Sequence, residues 1–136
     1  MLTEIRAVRQ GKHFSVVESG APESWDGKLF LGQALDFSGM EVSLNRFSPG
    51  QEVPFLHQHA QHEEMYLFIR GRGQFQVDGE IFEVGPGTVV RVAPDGKRAW
   101  RNQSNEDLYC IVVQANVGSL TDKDGIRNPD PLTWDA

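Results

Sequence analysis

The sequence predicts an all-β chain, folded as a sandwich or barrel of short strands. Three observations predict it. No segment keeps a 3.6-residue apolar period over three turns. Short alternating runs are instead broken by glycine, proline and aspartate at roughly eight- to twelve-residue intervals, the pattern of an all-β domain. Asp78-Gly79 stands between two such runs, and that dipeptide suits a tight hairpin because both positions tolerate left-handed backbone.

In chain order, residues 1–12 are polar and give no assignment. Residues 13–18 (HFSVVE) predict a short strand, and 20–27 (GAPESWDG) a loop. Residues 28–31 predict a second strand, with 34–37 extending its pairing. Residues 40–47 (MEVSLNRF) alternate apolar and polar with a slip near Arg46, as a half-buried strand does. Residues 74–77 and 80–84 form the two arms of the Asp78-Gly79 hairpin. Gly85-Pro86-Gly87 and Pro94-Asp95-Gly96 are turns around 88–92, whose β-branched residues suit a buried strand. A short strand at 99–102, a turn at 104–107 and a buried strand at 108–114 (LYCIVVQ) complete the core. Beyond Gly118 there is no periodicity, and the tail's one anchor would be Trp134.

Chemistry concentrates between Pro49 and Gly79. Three of the four histidines, His57, His59 and His62, fall within six residues, and Glu63 and Glu64 follow at once. On an extended strand, positions i and i+2 share a face. His57 and His59 would then project side by side, with a carboxylate arriving from the next strand. Neutral imidazole and carboxylate oxygen are ordinary ligands for zinc, iron, manganese or nickel.

This stretch resembles the first motif of the cupin superfamily, G-x5-H-x-H-x3,4-E-x6-G. His57, His59, Glu64 and Gly71 match its spacing, while the leading Gly50 stands one residue further out. The resemblance implies a single-domain jelly-roll barrel, a double-stranded β-helix, over residues 28–117. Residues 1–27 would be an arm with an edge strand and 118–136 an irregular tail. It implies His57, His59 and Glu64 as metal ligands. Tyr66 shares the parity of Glu64 and is a cavity-lining, ligand-binding candidate. His62 falls in the turn between strands, solvated, as a candidate for supporting the ligands or replacing one. Glu63 points away from Glu64.

The family's second motif, G-x5-P-x-G-x2-H-x3-N, maps onto Gly87 to Asn102 with a departure. Gly87 and Asn102 hold the ends, but Ala93, Asp95 and Arg98 stand at the proline, glycine and histidine positions. No histidine follows His62, so the four-ligand set cannot be assembled. Arginine offers only donors and stays charged, so Arg98 is no replacement ligand. Two outcomes follow. A metal can bind through His57, His59 and Glu64, with Arg98 pairing with Glu64 or with an anionic substrate. Or the guanidinium takes the metal's electrostatic role and the barrel is metal-free.

The remaining residues have plainer readings. Phe55, Phe68, Phe75 and Trp100 pack the barrel, Cys110 is a buried inert thiol, and His13 is exposed. The chain has 136 residues, one domain's worth, and a net charge of −6 without a basic block, which argues against nucleic acid. No apolar run approaches the roughly 20 residues of a membrane span. The charges spread through residues 1–14 are not those expected of a secretory leader. A lone cysteine permits no intrachain disulfide, and a cytoplasmic location is the expectation. Nucleotide-binding glycine motifs and the G-x-S-x-G elbow are absent. Three functions remain: a metal-dependent enzyme of oxygenase or isomerase type on a small anionic substrate, a small-ligand binding or sensing module, and a storage or structural protein. A homodimer is expected, because sheet edges need covering.

Overall fold

A computed structural model describes residues 5–135. Its strands are β1 (Arg6–Gln10), β2 (Ser15–Glu18), β3 (Lys28–Phe30), β4 (Met40–Phe47), β5 (His62–Arg70), β6 (Gly73–Val77), β7 (Glu80–Val84), β8 (Val89–Val92), β9 (Arg98–Arg101) and β10 (Leu108–Asn116). All pair antiparallel, in a five-stranded sheet ordered β3-β4-β10-β5-β8, a three-stranded sheet β7-β6-β9 and a separate hairpin β1-β2. The two larger sheets face each other as a jelly-roll barrel.

The main core lies between those sheets. Phe47, Tyr66, Phe68, Val90, Val92, Leu108, Cys110 and Val112 enter from the large sheet, and Phe75, Val84 and Trp100 from the small one. Phe47 stacks on Trp100 at 3.9 Å between ring centroids. The outer face of the large sheet is also covered, where Trp25 packs with Leu44 and Tyr109 over Leu29, Leu31 and Ile111. Burial on both faces explains why residues 108–114 read as a continuous apolar run and why 40–47 alternates imperfectly. Burial pushes the Cys110 thiol well above its ordinary pKa, as befits an inert side chain.

Several expectations need correction. Residues 34–37 do not extend strand pairing: Gly32–Leu35 form the one-turn helix α1, closed by Asp36 in the left-handed region. Residues 6–10, left unassigned, form β1, exposed along its length. Among the described residues, the N-terminal arm joins no edge of the barrel's sheets; β1 and β2 pair with each other. The 88–92 stretch is a half-buried edge strand, with Val89 outward and Val90 and Val92 inward. Phe55 is 62% exposed and packs no core, and Trp134, 90% exposed, anchors nothing. Among the described residues, no helix is long and apolar enough to cross a membrane.

Two glycines separate backbone freedom from space. Asp78 and Gly79 both take positive φ, 51° and 87°, closing the β6–β7 hairpin as a primed turn. Gly71 also has positive φ, 88°, but a side chain there would run into the Asp107 carbonyl oxygen and stand 2.9 Å from Leu108 Cα. At Gly79 a Cβ meets nothing within 4 Å. Gly79→Ala should therefore cost about 1–2 kcal/mol, the left-handed penalty alone. Gly71→Ala should cost clearly more or prevent folding, since backbone cannot yield as a side chain does. Urea unfolding of the two variants checks the order; equal losses would refute it.

Candidate metal centre

The site forms at one end of the barrel, where the two sheets and the 51–61 connection meet. Glu64 and Tyr66 sit two apart on β5 and face inward together. Arg98 opens β9 in the opposite sheet. The connection does not form the regular strand expected for His57 and His59. His57 makes an isolated antiparallel bridge with Arg98, donating to its carbonyl at 3.1 Å and accepting from its amide at 3.0 Å. The carbonyl of His59 accepts from the Asp95 amide at 2.8 Å. These backbone bonds turn both imidazoles toward Glu64, with their rings 5.8 Å apart and nearly perpendicular.

His57 Nε2 lies 3.8 Å from Glu64 Oε1, and His59 Nε2 lies 3.7 Å from Glu64 Oε2. One ligand atom from each residue can be chosen so that all three lie within 4.8 Å of one another. Ions that bond nitrogen and oxygen at about 2.0–2.2 Å need donors gathered on this scale. Among the described residues, this trio is the one cluster of its kind. The histidine side chains are 31% and 29% exposed and Glu64 only 5%, so the imidazoles face solvent and the carboxylate forms the floor.

Beneath the floor lies a buried polar network. Arg98, with 0% of its side chain exposed, donates from Nη2 to Glu64 Oε1 at 2.7 Å and from Nη1 to the Gly96 carbonyl at 2.8 Å. Its Nε reaches Tyr66 Oη at 3.4 Å. The Tyr66 hydroxyl in turn donates to Glu64 Oε1. One carboxylate oxygen is thus engaged internally, and the other, Oε2, is turned to His59. The donor set of two imidazoles and one carboxylate is of a kind that suits a single divalent ion.

The electrostatics follow from the packing. Burial alone would raise the Glu64 carboxyl, but His57, Tyr66 and Arg98 outweigh it and hold the pKa at about 2. Burial and the adjacent carboxylate push the Tyr66 hydroxyl far above its ordinary value, so it stays a donor. Burial and the nearby Arg98 cation lower His59, against the pull of Glu64, and favour the neutral ring that ligates metals.

His62 is not in a solvated turn. It begins β5, its Nδ1 lies 2.8 Å from Gln114 Oε1, and its ring stacks on His59 at 5.8 Å. Gln114 went unnoticed in the sequence; only the β5–β10 register, which places it opposite Glu64, brings it there. Glu63 faces outward to Arg91 at 2.9 Å. Asn102 holds a corner, donating to the Phe47 and Glu106 carbonyls and accepting from Ser104.

A small antiparallel barrel with a two-histidine, one-carboxylate cluster at its mouth defines the class. The cupin domain model matches residues 43–114, and the chain belongs to that family. A cupin protein of known structure from Bacteroides fragilis is similar at 34% identity and a TM-score of 0.78, over 87% of this chain and 99% of that one. A candidate sugar phosphate isomerase from Acidithiobacillus ferrooxidans shares the fold at 24% identity and a TM-score of 0.60, over 66% of this chain and 58% of that one. An uncharacterized protein of Methanocaldococcus jannaschii is 30% identical over 76 residues, and the matched region spans 61% of its length.

The Glu64–Arg98 pair makes stability depend on acid. Because the folded pKa of Glu64 lies below its ordinary 4.5, its contribution is complete above about 4.5 and is lost as pH falls toward about 2. Glu64→Gln leaves Arg98 charged, buried and unpaired, at a cost of about 3–5 kcal/mol near neutrality. The stability gap between wild type and Glu64→Gln should narrow as pH falls through that window. Denaturant titrations in chelator check this; a gap independent of pH would refute the assignment.

Proposed function

We propose that the chain is a metal-dependent small-molecule cupin, with one divalent ion (zinc, iron, manganese or nickel) held by His57, His59 and Glu64. The observation that carries this reading is the gathering of the two imidazoles on Glu64, His57 beside Oε1 and His59 beside Oε2. When bound, the ion supplies Lewis-acid or redox chemistry with coordination positions open to a ligand, in support of an oxygenase- or isomerase-type reaction. The protein's part is to fix the donors. Tyr66 and Arg98 hold the carboxylate by Oε1, and the Arg98 backbone holds His57. The side beneath Glu64 is buried and the imidazole side is partly exposed. Arg98 has no exposed surface, so direct contact with a ligand requires that Glu64 release it.

The Glu64–Arg98 pair supports a second reading, a metal-free barrel that binds or senses a small ligand. Elemental analysis of protein purified without a metal-affinity tag separates the two. Under the first, wild type carries stoichiometric metal and His59→Ala carries none, while in chelator the two differ in stability by less than about 1 kcal/mol because the ring is partly exposed. Equal metal in both proteins would sink the site; none in either would favour the second reading.

Assembly as a homodimer is also proposed. Among the described residues the β1–β2 hairpin pairs with no other strand, touches α1, and exposes Val8, Phe14 and Val16, and a two-stranded hairpin with little packing is marginal in water. Light scattering at micromolar concentration should give twice the chain mass, and a monomer throughout would refute it.

A further inference from the structure

The charge beneath Glu64 has a consequence for what can bind above it. Glu64 and Arg98 are 2.7 Å apart, 5% and 0% exposed, and cancel each other before any metal arrives. Neutral imidazoles add no charge. A divalent ion on His57, His59 and Glu64 therefore leaves both of its positive charges uncompensated, next to a guanidinium that cannot lose its proton. With histidine at position 98, where the family pattern has it, one of the two would be compensated. Surplus charge is costly on the buried side of the site, where Arg98 and Glu64 are 0% and 5% exposed and screening is weak.

Resting on the metal reading above, we infer that Arg98 makes ion binding at this centre dependent on a small dianionic oxygen ligand bound together with the ion. The dianion is recruited by charge and not by contact with the guanidinium, whose nitrogens are turned to Glu64, Tyr66 and Gly96. Its way in is from the imidazole side, which is partly exposed. The three protein donors leave coordination positions free, and the 31% and 29% exposed imidazoles mark the solvent side. A chelating dianion entering there meets the ion without disturbing the pair below. A neutral chelator of the same shape occupies the same positions but leaves the charge in place. The class of ligand thus follows from one buried residue that never touches it.

Calorimetric titration of the whole chain with Mn2+ tests this, alone, with malonate and with the neutral isostere malonamide, after correcting free Mn2+ for malonate complexes. Malonate should tighten Mn2+ binding about tenfold or more, within the usual range of coupling between sites, and malonamide should not. In Arg98→Gln the malonate effect should fall below about threefold. Arg98→His provides a second background in case the glutamine variant does not fold, and there too the effect should shrink. Wild type that binds Mn2+ equally well with and without malonate would overturn the inference while leaving the metal reading intact. An undiminished malonate effect in both variants would overturn the role of Arg98. No Mn2+ binding to wild type under any condition would overturn the metal reading, and the inference with it.

Discussion

A carboxylate and a guanidinium, buried against each other where the two sheets meet, constrain the rest of this barrel. Glu64 comes from the five-stranded sheet and Arg98 from the three-stranded one. Such a pair adds little net stability over a well-packed apolar substitute, but breaking it strands a charge. Its geometry is complete in the sense that matters at low dielectric: Tyr66 and the Gly96 carbonyl take up neighbouring hydrogen-bonding capacity. The pair joins the two sheets at this end, while Phe47, Phe68, Phe75 and Trp100 pack among the apolar side chains deeper in.

The same pair divides the carboxylate. Oε1 is held from the interior by Tyr66 and Arg98, with His57 Nε2 3.8 Å away, and Oε2 faces His59 at the rim. A carboxylate free on both sides could swing between monodentate and bidentate modes. This one is clamped from below, so its outward oxygen has a fixed place relative to the imidazoles. Pre-organisation of this kind usually comes from residues behind the ligands, and here it comes from a residue aligned with a ligand position.

Much of this was legible in the sequence, for physical reasons that differ by element. Residues 40–47 and the Asp78-Gly79 hairpin announce themselves because alternation and left-handed turn residues are local properties. Arg98 could be located because spacing from Gly87 to Asn102 survives the substitutions between them. The failures are equally instructive. β1 carries no burial alternation because none of it is buried, and α1 is too short to show a period. His57 and His59 match a strand by spacing, yet only their backbone bonds to Arg98 and Asp95 aim them. The partnership of His62 with Gln114 depends on register across 52 residues, which no local pattern encodes.

The bridge between His57 and Arg98 carries one more implication, for how such barrels diverge. Its two hydrogen bonds are made by backbone atoms alone, so they do not depend on which side chain occupies position 98. Whatever residue stands there is delivered to the same place under Glu64. The position behaves as a socket: exchanging its occupant changes the charge beneath Glu64, while the backbone bridge to His57 stays available. Divergence in chemistry among related barrels then requires no new loop and no change of fold, only a different occupant for one buried slot.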